Sequence, residues 1–195
     1  NSDEEEWQKS ILVNPSDYHT KVVEHKNQKV DIGLELYRSA LSKSSVVWFY
    51  NQITGNQDVA LAILTAAEEN DIPLSLAFAL AYTESRYKVT AVNSNTNKSI
   101  DRGLFQLNNR SFPQLKEEEF FDPYISAKYG MSHLRFCLNT AGNEVSALAM
   151  YNAGTTKVRS NKTPQVTLNY VSNIEVLDTA LNSKNTIRTS AVGSK

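Results

Sequence analysis

A carboxylate closes one of the least polar stretches of this chain. In "LSLAFALAYTESRY", residues 74–87, nothing between Leu74 and Thr83 carries a charge at neutral pH, and then Glu84 arrives. Counting back in helical steps puts Ala81, Leu80, Ala77 and Leu76 on the same face, so the carboxylate continues an apolar stripe. Partial desolvation and the negative end of the helix dipole would both hold its proton above the usual glutamate range. A carboxylic acid kept protonated near neutral pH is what general-acid cleavage of a glycosidic bond requires. Local chemistry equally allows a plain glutamate that marks where the helix leaves the core, and the direction of the Arg86 side chain is not readable. A second carboxylate, Asp101, stands two residues before Gly103. As a pair about 5 Å apart, two such groups could run a retaining hydrolysis, one as acid and one as nucleophile or charge stabiliser; a loop aspartate is also a common turn-former.

Other chemistries find little support. The histidines His19, His25 and His133 show no metal-ligand spacing, and the lone Cys137 rules out an internal disulfide framework. No metal and no cofactor are expected. Twenty basic and 21 acidic side chains give a net charge of −1, without the basic footprint of a nucleic-acid binder. The longest apolar run, about ten residues, is too short for a transmembrane segment. The acidic opening "NSDEEEW" and the polar close "NSKNTIRTSAVGSK" read as loosely packed ends. A flexible segment is therefore expected at 1–25, one domain over 26–182, and a tail at 183–195. The start at Asn1, without a leader, is what a processed product would show.

The positioning elements are mostly helical. "DIGLELYRSALSK" (31–43) spaces Ile32, Leu36 and Ala40 by four. "SSVVWFYNQITGN" follows and stops at Gly55; "NQDVALAILTAAEEN" has Asn56 as a cap and Asn70 as a stop. Pro73 suits the first turn of the helix that runs on to about Tyr87. The asparagine-rich "TAVNSNTNKSIDRG" breaks the pattern with turns or a small hairpin. After Pro123 helical spacing returns in "PYISAKYGMSHLRFCLNT", "NEVSALAMYNAG" and "PQVTLNYVSNIEVLDTAL". Gly103 can take an unusual dihedral or allow close backbone approach. Gln106 alternates with Phe105 and Leu107, so it can face outward while they pack. Tyr151 and Tyr170 suit either core packing or a sugar face.

The ordered motifs "ESRYKVTAVN", "DRGLFQLN", "ALAMYNAG" and "TLNYV" resemble those of the lytic transglycosylases over residues 72–175. The fold this resemblance implies is all-α (α+β lysozyme-like, of the goose-lysozyme kind), with a short β-hairpin at about 90–108 flanking a substrate cleft. It implies Glu84 as acid and then base. Ser85 would support the carboxylate or the substrate. Gly103, Leu104, Phe105 and Gln106 would form one wall of the cleft. Asn93, Asn108, Tyr151 and Asn152 would contact substrate, and Tyr170 would hydrogen-bond near the catalytic carboxyl. The sequence departs from the family pattern at Lys88-Val89 (often Asn-Pro), at Asn93 (often Ser) and at Phe105 (usually Met). The stretch from Glu84 to Arg110 also resembles animal-type lysozymes, where an aspartate in the place of Asp101 is the second catalytic carboxylate. The later segments favour the transglycosylase pattern.

What the resemblance implies is cleavage of the β-1,4 bond between N-acetylmuramic acid and N-acetylglucosamine in peptidoglycan, leaving a 1,6-anhydro sugar. The partner is then the peptidoglycan glycan strand, the place of action the bacterial periplasm or cell envelope, and the enzyme a monomer. A lipid anchor removed with a leader and partners in an envelope complex stay open. Two competitors remain: a muramidase using Glu84 and Asp101, and a glycan-binding or scaffold module that kept the cleft without turnover.

Overall fold

Asparagine and glycine punctuation cuts the first half of the chain into helices. The computed structural model describes residues 33–153 and, beyond them, residues 167, 169, 171, 173–175, 177–182 and 184. The terminal segments expected at 1–25 and 183–195 lie outside these, residue 184 apart. Helix α1 spans Gly33–Arg38, α2 Lys43–Thr54, α3 Gln57–Glu69 and α4 Leu74–Ser85. Gly55 ends α2 at φ +64°, its N–H donating to Asn51 O. Asn56 opens α3 by accepting the Val59 N–H at 3.1 Å. Asn70 closes it, its backbone N–H returning to Ala66 O. Helix α1 is shorter than its periodicity suggests. The Ser42 hydroxyl donates to Leu36 O at 2.6 Å, offering that carbonyl a partner outside the helical ladder.

The described residues form two compact units, one of residues 33–135 with those described from 174 on, the other of residues 136–153 with those described up to 173. In the first, α4 is buried nearly all round. Leu74, Leu76, Phe78 and Leu80 are at most 1% exposed, as are Ile63 and Leu64 of α3. The Tyr50 ring of α2 stacks on Phe78 with centroids 3.7 Å apart and planes 10° from parallel. Each such side chain contributes about 1.5–3 kcal/mol when fully buried.

The polar segment after α4 forms a three-stranded antiparallel sheet where a hairpin was expected. Its strands are β1 (Val92–Ser94), β2 (Ile100–Arg102) and β3 (Leu107–Asn108). The third strand exists because Gly103 (φ +80°) and Gln106 (φ +51°) turn the chain back onto β2. A 3₁₀ turn at Glu117–Phe121 leads into α5, Pro123–Ala141. In the second unit, α6 (Glu144–Ala153) buries Val145, Leu148 and Met150. Every described residue from 167 to 184 is helical, as expected for the last pattern. The protein is thus helical with one small sheet, the expected class.

Candidate active site

Glu84 lies in the last turn of α4, partly exposed, directly before the buried Ser85. The helix was expected to reach Tyr87, but it stops at Ser85. Arg86 and Tyr87 both adopt left-handed backbone, φ +55° and +63°, and neither is glycine. Such conformations cost of order 1–3 kcal/mol each and persist only where the surroundings impose them. Here the surroundings are visible. The Arg86 N–H donates to Tyr82 O at 2.8 Å, and the guanidinium lies 4.6 Å from the Tyr82 ring centroid, with Nη1 donating to Tyr82 Oη at 2.6 Å. The Tyr87 hydroxyl donates to Phe78 O at 3.0 Å. Burial pushes the Tyr87 phenol far above its ordinary range, with a smaller contribution from Tyr82, so it remains a donor.

The loop 103–106 is fastened from several sides. Ser85 Oγ lies 2.8 Å from Leu104 O and 3.1 Å from Ala81 O, so its single proton has two acceptors in reach, the loop carbonyl the nearer. The Phe105 N–H donates to Ser126 Oγ of α5 at 3.1 Å. A Cβ on Gly103 would stand 1.9 Å from Phe120 O, and one on Gly130 would stand 2.7 Å from the Phe105 ring. Backbone and ring therefore pass closer than any side chain would permit. This revises the expected cleft wall. Leu104 and Phe105 are 0% exposed, main chain included, and Gly103 is buried as well, so these residues belong to the core. Gln106 does not simply alternate outward, because its left-handed backbone turns its amide back onto the loop. Nε2 donates to Gly103 O (2.9 Å) and Ala91 O (3.2 Å), and Oε1 accepts from Asn93 Nδ2 (2.7 Å).

Strand register lines up Asn93, Asp101 and Asn108 across the sheet. Each Asp101 oxygen accepts a side-chain amide, Oδ1 from Asn108 Nδ2 at 2.7 Å and Oδ2 from Asn95 Nδ2 at 2.9 Å. Ser99 knots the same cluster, donating to Asn97 Oδ1 at 2.6 Å. The asparagine richness of 93–97 thus serves to satisfy a short, strongly turned sheet whose backbone ladder is sparse. Tyr151 and Asn152 belong to the second unit, on the last turn of α6; Asn152 Oδ1 accepts from Thr167 Oγ1 at 2.8 Å. Tyr170 lies outside the described residues.

The structure ties Ser85, next to Glu84 in the chain, to the 103–106 loop, and groups Asn93, Asp101 and Asn108 in a row that Gln106 joins through Asn93. Sequence reasoning missed Ser126, Gly130, Asn95 and Tyr87. The four-residue spacing of Ser126 and Gly130 on one helix face, small residues in an otherwise bulky pattern, was the available signal.

Comparison with known proteins follows the same stretch. The model of a family described as the transglycosylase SLT domain matches residues 61–171, more than half of the chain. Protein IpgF of Shigella flexneri is 34% identical over 96 residues, 46% of this chain and 63% of the Shigella protein, so the alignment spans less than two thirds of that relative. Invasion protein IagB of Salmonella typhimurium (strain LT2) is 33% identical over 122 residues, 60% of this chain and 74% of that protein. No solved structure matches.

Proposed function

Because this chain belongs to the transglycosylase SLT family, we propose that it is a peptidoglycan lytic transglycosylase with Glu84 as its acid and then its base. The observation that carries this reading is the placement of Glu84: the last turn of a helix buried nearly all round, partly exposed, beside a serine tied to the neighbouring loop. Glu84 would protonate the oxygen of the bond between N-acetylmuramic acid and N-acetylglucosamine. The muramoyl C6 hydroxyl would attack the anomeric carbon and return its proton to Glu84. The glycosidic C–O bond breaks, a 1,6-anhydro ring forms, and no water is consumed.

Asp101 bears on the runner-up, a muramidase that needs a second carboxylate beside the anomeric carbon. Both of its oxygens already accept amides from Asn95 and Asn108, which supports a role as a cross-link of the sheet. Ser85, Gln106 and Asn93 fit a supporting part, since each is tied to the loop beside Glu84 or to the sheet. Gly103, Leu104 and Phe105 are buried and would act by shaping the loop beneath the substrate, and Asn108, Tyr151, Asn152 and Tyr170 are substrate contacts in this reading. The setting would be a bacterial envelope or periplasm and the enzyme a monomer acting on glycan strands; no described helix is long and apolar enough to cross a membrane.

Digestion of purified peptidoglycan, with products weighed by mass spectrometry, tests the proposal. Anhydromuropeptides are expected. Products heavier by one water would establish hydrolysis instead, and glycan bound but uncut would identify a binding module.

A further inference from the structure

Two buried serines grip the same peptide bond. The Leu104 carbonyl and the Phe105 N–H are the two polar ends of one planar unit. Ser85, next to Glu84 and 6% exposed, donates to the carbonyl at 2.8 Å. Ser126, on α5 and 0% exposed, accepts the N–H at 3.1 Å. One turn further along α5, Gly130 receives the Phe105 ring, closing off sideways movement. On the other side Gly103 runs so close to Phe120 O that only a glycine fits. The 104–105 peptide therefore has one orientation, and through Ser85 that orientation is linked to the terminal turn of α4.

We infer that Ser126 is a positioning residue for Glu84, acting through the 104–105 peptide and Ser85. The inference rests on the reading of Glu84 given above, but its physical content is separable from it. A buried N–H without an acceptor is costly, so removal of the Ser126 hydroxyl invites the peptide to tilt in search of another partner. A tilt moves the carbonyl that Ser85 holds. The hydroxyl of Ser85 then falls back on Ala81 O, already 3.1 Å away. That loosens a side-chain tie between the α4 end and the loop, and with it the placement of Glu84. Small displacements of a catalytic group are expensive in rate, since proximity and orientation contribute steeply.

The test uses the full chain with Ser126→Ala, Ser85→Ala and their double variant. Ser75→Ala, at a buried serine in the first turn of α4, serves as the control. Two quantities are read on folded protein well below its melting temperature: kcat and KM on purified peptidoglycan, and the titration midpoint of the Glu84 carboxyl by carbon-13 NMR. We expect Ser126→Ala to lower kcat about tenfold with KM little changed, to move the Glu84 midpoint, and to bring the Phe105 amide into faster hydrogen exchange. The double variant should lose no more than the worse single one, because both act on one linkage. Ser75→Ala should lower stability and move neither readout. Ser126→Thr, which keeps the acceptor, should restore the midpoint, and it substitutes if the alanine variant fails to fold: a wild-type midpoint with wild-type exchange at Phe105 is the expected result. Should Ser126→Ala leave kcat and the Glu84 midpoint at wild-type values, or should the two serine losses simply multiply, the inference is overturned. A wild-type protein that cleaves nothing, with the Glu84 midpoint still moved by Ser126→Ala, would remove the proposed activity and leave the positioning role standing.

Discussion

At the scale of single residues, the two carboxylates differ in what holds them. Glu84 emerges at the end of an apolar helix, whereas Asp101 sits in mid-strand with an amide on each oxygen. The difference predicts different responses to an isosteric change. Glu84→Gln removes the transferable proton and nothing of the shape, so peptidoglycan cleavage should fall about a thousandfold, the usual scale of a lost general acid. Circular dichroism and the melting temperature should stay near wild type, and retained turnover would refute the role. Asp101→Asn places an NH₂ where one of two amide donors points, and one hydrogen bond must go. That should cost about 1 kcal/mol of stability in urea unfolding while turnover drops less than about tenfold. A collapse of turnover comparable to that of Glu84→Gln would instead favour a two-carboxylate hydrolase.

At the scale of elements, the features that were legible in the sequence are the ones with local causes. Gly55, Asn56 and Asn70 punctuate α2 and α3 where their side chains, or the lack of one, suggest, because capping is settled within a turn of helix. The stop of α4 was not legible. Arg86 and Tyr87 are not helix-ending residues by type, and what reverses the backbone there is the grip of Tyr82 on one and of Phe78 on the other. Nor could the third strand be read, since it depends on a left-handed Gln106 whose amide is spent on Gly103, Ala91 and Asn93. The burial of Phe105 follows from α5, whose Gly130 admits its ring. Two glycines separate backbone freedom from space. Gly55→Ala meets open room and should cost only the dihedral, about 1–2 kcal/mol. Gly103→Ala must also displace the Phe120 carbonyl, and should cost upwards of about 3 kcal/mol in urea titrations of the two variants. Equal losses would mean the loop can yield.

At the scale of the whole molecule, the homology and the physics draw different borders. The match to the family model begins at residue 61, yet Tyr50 of α2 lies flat against Phe78 in the middle of α4, with Val46 and Phe49 buried beside it. The helices ahead of the recognised segment thus complete the core on which the proposed acid is mounted. A recombinant fragment trimmed to 61–195 would uncover the aromatic flank of its own central helix. Such a fragment should bind the dye ANS, accumulate in inclusion bodies and lose the sharp thermal transition, while the full chain should stay in solution. Anyone choosing where to cut this gene for expression should follow the tyrosine, not the alignment.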